Sequence, residues 1–105
     1  MLEEDVVEDW KTLLRARLPA QNALYGVRRL WLFGSYARGE AMPGVPVDLL
    51  AELDRALSYD EFLALQSLLG ECLGQTVELV LKGTLTPTIN EIIQPELIPL
   101  FAEEN

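Results

Sequence analysis

The sequence predicts a small α/β domain, one sheet with helices mainly on one face and the other face partly open. Three observations predict it. Apolar residues recur at helical spacing over 4–24 and again after Ser58. Short strand-like runs at 27–33, 47–53 and 76–82 alternate with those helical stretches. The chain has 105 residues, half of them apolar, so residues 1–105 are expected to share one compact core as a single domain.

The elements follow in order. Val6, Val7, Trp10, Leu13, Leu14 and Leu18 mark a helix over residues 4–24. Acids crowd its first turn and Lys11, Arg15 and Arg17 come later, the order that a helix dipole favours. Pro19 is expected to end or kink it. "VRRLWLF", 27–33, reads as a strand, and "GSYARG" follows as a turn into a short helix. "PGVP", 43–46, is a stiff loop, because its prolines fix φ and press Val45 towards extended geometry.

"VDLLAEL", 47–53, is a second strand with Val47, Leu49, Ala51 and Leu53 on one face. Asp48, Leu50, Glu52 and Asp54 share the other, wetter face. Ser58 and Glu61 have the spacing of a capping box, opening a helix with Phe62, Leu65, Leu68 and Leu69 that ends near Gly74. "TVELVLK", 76–82, is the third strand, with Glu78, Val80 and Lys82 opposite Val77, Leu79 and Leu81. Thr88 and Glu91 suggest a second capping box and a short helix stopped before Pro95. The "LIPLF" tail, 97–101, is either an edge strand or a contact surface, and a homo-oligomer paired through it is one arrangement open to it.

Composition narrows the chemistry. There is no histidine, which excludes a histidine base, a histidine-containing triad and histidine metal ligands. Metal chemistry would rest on carboxylates, which favour hard cations such as Mg²⁺. Cys72, the one cysteine, excludes an internal disulfide and sits in a leucine-rich helical pattern, as a small core residue would. The net charge of −9 repels phosphate backbones at long range, so no nucleic-acid partner is expected and a basic protein suits better. No apolar run approaches a membrane span, and the acidic start "MLEEDVVED" is unlike a secretory signal. No membrane association and a cytoplasmic location are therefore expected.

The chemical candidates cluster around residues 34–48. Gly34 permits a tight turn and close approach of a ligand, and Ser35 could cap the next helix, whose free N–H groups suit an anion. An ordinary helix cap explains the same pair. Asp48 interrupts an apolar strand just after that turn; it is either a ligand for Mg²⁺ against phosphates or part of a solvated strand face. Glu78 has the same two readings on the next strand. Arg38 could grip a phosphate or lie in solvent, and Glu40 reads as a surface loop residue. Asp54 lies roughly 20 Å along an extended strand from Asp48 and cannot replace an acid missing near position 46. The polar faces of the second and third strands would bring Asp48 and Glu78 together, facing Ser35.

"LFGSYARGEAMPGVPVDLLAEL" is similar to the signature of the minimal nucleotidyltransferases, small relatives of the DNA polymerase beta superfamily. That signature runs Gly-Ser-x-Ala-Arg-Gly, a short loop, then Ser-Asp-x-Asp-Leu-Leu-Val. "VELVLKGTLTPTINEII" resembles the family's third strand and closing helix, so the likeness spans nearly the whole chain. It implies a nucleotidyltransferase-like mixed sheet. By resemblance Gly34, Ser35, Arg38 and Gly39 match the nucleotide-binding turn. Asp48 and Glu78 match the second and third metal-binding, catalytic acids, with Mg²⁺ as cofactor and ATP as ligand. Pro46 stands where the first acid belongs, and Val45 where the serine before it belongs. Family members transfer a nucleoside monophosphate from a triphosphate, and many pair as antitoxins with helical HEPN-type proteins. With one acid lost and Glu in place of Asp at 78, the resemblance implies a degenerate metal site. An antitoxin-like binding role is then the expectation, and active transfer to a protein hydroxyl is the alternative.

Overall fold

The computed structural model of the protein describes residues 4–103. The first three residues of the acidic start lie outside the described residues. Its order is α1 (Glu4–Tyr25), β1 (Val27–Phe33), α2 (Gly34–Ala37), β2 (Val47–Leu53), α3 (Tyr59–Leu73), β3 (Val77–Leu81), α4 (Pro87–Ile93) and β4 (Ile98–Ala102). Short 3-10 turns, Lys82–Thr84 and Gln94–Glu96, flank α4. The sheet is four-stranded and ordered β3-β2-β1-β4. It is mixed: β1 runs antiparallel to β2 and β4, whereas β2 and β3 are parallel. The parallel pair requires a crossover, and α3 supplies it.

The core explains why these stretches fold together. Trp10, Leu14 and Leu18 of α1 and Leu65, Leu69, Cys72 and Leu73 of α3 cluster with Leu30, Leu32, Val47, Leu49, Ala51 and Leu79 of the sheet. Both long helices therefore cover one sheet face, as the two periodicities predict. Cys72 is buried and free, a packing residue. A register shift between Val27 and Arg29 lets Val27 and Leu30 both turn inward, because one extra residue in a strand reverses its alternation.

The helix expected over 4–24 is present, and of the two expectations for Pro19 the one that it ends the helix is corrected: α1 runs on through it to Tyr25. Gly26, with φ of +68°, ends the helix instead, donating its N–H to the Asn22 carbonyl at 2.8 Å. A glycine in the left-handed region satisfies a terminal carbonyl without a Cβ clash, while Leu14 and Leu18 anchor the turn before the proline in the core. The second capping box is corrected too. Thr86, not Thr88, caps α4, its hydroxyl accepting from the Ile89 N–H at 3.3 Å. Pro87 decides this, since a proline lacks the N–H that a first helical position leaves free anyway. The tail becomes β4 within the same chain, pairing with β1 from Arg29↔Ala102 to Leu32↔Ile98. Pro99 is tolerated because β4 is an edge strand. The wetter face of β2 is only partly wet, since Leu50 is fully buried there. Its cross-strand neighbours are Trp31 and Val80, and they shield it.

Candidate functional site

Strand register builds the site. Asp48 and Glu78 are direct partners on the parallel strands β2 and β3. On its other side Asp48 pairs with Phe33, the residue before the Gly-Ser turn. Gly34, with φ of +76°, lies so close to the Asp48 carboxylate that any Cβ at position 34 would collide with Oδ2. The glycine thus serves both the left-handed turn and the approach of the acid. Asp48 is half-buried and Glu78 exposed.

This arrangement perturbs Asp48. Burial pushes its carboxyl above the usual carboxylate range, and the charge and hydrogen-bonding proximity of Glu78 push it the same way. Arg38 opposes these effects and Glu96 adds to them. A half-buried acid beside a second acid is a site that a cation would relieve. Among the described residues, however, no three acidic or cysteine side chains converge as metal ligands. Pro46 is part of the reason. It lies just before the β2 ladder, which begins where the Val47 N–H donates to the Thr76 carbonyl at 2.8 Å. A proline without an N–H fits that position and brings no ligand.

Ser35 differs from its expected role. Helix α2 already begins at Gly34, so Ser35 lies inside the first turn and caps nothing. Its Oγ is buried without a hydrogen-bond partner. Buried hydroxyls are normally satisfied, so an orphan beside a turn fits a ligand oxygen. Arg38 is neither loosely solvated nor free. Its Nε donates to Glu40 Oε1 at 2.9 Å and its Nη1 to Glu96 Oε2 at 3.1 Å. Gly39 continues the turn with φ of +73°. Asp54 pairs with Arg55 at 2.7 Å, apart from these groups. Glu96 is the residue that sequence reasoning missed. Besides Arg38 it accepts the Gly34 N–H at 2.8 Å, and nothing in "QPEL" signals that contact.

A mixed four-stranded sheet, with an acid pair in register beside a Gly-Ser turn, defines the class as a nucleotidyltransferase-type α/β fold. The chain belongs to the nucleotidyltransferase domain family, whose model, described as "Nucleotidyltransferase domain", matches residues 14–103. It is 33% identical over 92 residues to the protein adenylyltransferase MntA of Thermococcus cleftensis, covering 88% of this chain and 93% of that one. A solved structure assigned as a minimal nucleotidyltransferase aligns with a TM-score of 0.66 at 33% identity, over 86% of this chain and 95% of that chain. A complex of tri-AMPylated Shewanella oneidensis HEPN toxin with MNT antitoxin aligns at a TM-score of 0.59 and 18% identity, over 93% of this chain and 71% of that chain. At that identity the last likeness speaks for the fold alone. Among the described residues no helix is long and apolar enough to cross a membrane.

Proposed function

We propose that this chain is a nucleotidyltransferase-family domain with a degenerate metal site, acting chiefly as the antitoxin-like partner of a HEPN-type protein. The observation that carries the reading is Pro46 at the mouth of β2, where it leaves Asp48 and Glu78 as the one carboxylate pair in register between β2 and β3 among the described residues. Two-metal chemistry needs a clamp on both the attacking and the leaving oxygen, and two carboxylates make a poor one. The docking role has independent support. Ile89 and Ile92 on α4 are exposed apolar residues, and the net charge of −9 suits a basic partner.

The residues still suit one Mg²⁺–nucleotide. Asp48 and Glu78 would hold the cation, which would supply charge neutralisation at the phosphates. Gly34, Ser35, Arg38 and Gly39 would receive the phosphate oxygens. The orphaned Ser35 hydroxyl and the raised Asp48 carboxyl support this fit. These same two features favour the alternative reading, an active enzyme. There a protein hydroxyl would attack the α-phosphorus of ATP, pyrophosphate would leave, and the hydroxyl proton would pass to solvent or a nearby carboxylate.

One assay separates the readings. The protein is incubated with labelled ATP, Mg²⁺ or Mn²⁺ and the protein that co-purifies with it from its host, and that partner is then weighed by mass spectrometry. A stable complex with unchanged partner mass is expected. An added nucleotidyl mass that disappears with Asp48→Ala would establish the transferase and end the binding-module proposal.

A further inference from the structure

We infer that Glu96 is a built-in anion that holds the phosphate positions of the Gly34–Arg38 turn closed, so that an incoming nucleotide must displace it. This rests on the reading of that turn as a nucleotide cradle. The geometry is that of a ligand. Glu96 Oε1 accepts the Gly34 N–H at 2.8 Å and approaches Arg38 Nη1 at 3.3 Å, while Oε2 lies 3.1 Å from the same nitrogen. Two acidic oxygens thus engage a turn amide and a guanidinium together. A phosphate group presents the same pair of oxygens to the same kinds of donor.

The placement is imposed by the fold. Glu96 ends the 3-10 turn that leads into β4, and β4 pairs with β1, the strand that runs directly into Gly34. The carboxylate is therefore tethered beside the cradle, yet it is carried on a turn rather than within the strand ladder. Its side chain is mostly shielded, at 20% exposure. Glu40 takes the Nε side of the same guanidinium at 2.9 Å. A triphosphate would meet both donors engaged, Glu40 and Glu96 on the arginine, and Asp48, with Glu78 beside it, close enough to feel the arginine's charge. Removing the Glu96 charge would weaken the hold on both donors and reduce the repulsion.

The test is calorimetric titration of the full chain with ATP and, separately, with inorganic tripolyphosphate, each with Mg²⁺. The proteins compared are the wild type, Glu96→Gln and Glu96→Gln/Arg38→Ala, with circular dichroism confirming the fold of each. Glu96→Gln is expected to bind both ligands about tenfold tighter than wild type, a gain lost when Arg38 is also removed. Glu96→Asp, which withdraws the carboxylate by one methylene, should shift affinity the same way by less, and it stands in if the glutamine variant misfolds. Affinity equal to or weaker than that of a binding wild type would overturn the inference, leaving Glu96 as a structural staple and the cradle intact. Failure of every folded variant to bind either ligand would overturn the cradle reading itself, and the inference with it.

Discussion

At Asp48 a carboxylate is half-buried against Gly34 and beside Glu78, and its folded-state pKa is raised by burial first and by the neighbouring acid second. The sign of the consequence follows from linkage. The native state holds this proton to higher pH than the unfolded chain does, so Asp48 withdraws stability as pH rises above the ordinary carboxylate range. Asp48→Asn should therefore raise the melting temperature near neutral pH by a few degrees, since roughly 4–8 °C accompany each kcal/mol in a domain this small. The gap between variant and wild type should narrow as pH falls towards the carboxylate range. Melts by circular dichroism across pH check it, and an asparagine variant that melts lower near neutrality would refute the strained-acid account. That Asp48 and Glu78 share a sheet face was legible in sequence because alternation fixes which side chains point the same way, whereas their direct pairing across β2 and β3 is a matter of register. The engagement of Arg38 was not legible, because its acidic partners Glu40 and Glu96 lie outside the periodic helix and strand patterns.

Helix α3 shows how much local sequence can fix. The Ser58 N–H donates to Glu61 Oε1 at 2.7 Å, and the Glu61 N–H donates to Ser58 Oγ at 3.1 Å. Gly74 closes the other end in the left-handed conformation, with φ of +67°. Start, stop and apolar stripe all follow from short-range chemistry, and all were readable. Ser58→Ala should cost about 1 kcal/mol, measured by urea denaturation with an unchanged m-value. A variant as stable as wild type would mean that packing alone holds the helix start. Local reasoning placed α1 but not the effect of its proline, and it misplaced the cap of α4; in each, two rules competed. Pro19 disfavours helix interior, but the buried leucines on its N-terminal side and the Gly26 terminus outweigh it. At α4 two threonines offered caps, and Pro87 decided in favour of Thr86.

Over the whole molecule, the closing strand matters most. β4 brings Ile98–Ala102 against β1 and buries Leu100 and Phe101 in the core shared with α1 and α3. Leu100→Ala should destabilise the fold by about 2–5 kcal/mol, the range for a leucine removed from a packed core. Chemical denaturation measures it, and a loss well under 1 kcal/mol would mean that the tail is not integral to the core. By itself the sequence determined the order of elements, the face that each long helix buries, the turn at Gly34 and the sheet face that Asp48 and Glu78 share. These are consequences of periodicity, capping and strand alternation, which act over a few residues. Tertiary structure alone decided that the tail closes the sheet and that Glu96 reaches Gly34 across 62 positions of sequence. That contact depends on the register of β4 against β1, and register between distant segments is chosen by the packing of the finished core, which leaves no local pattern to read.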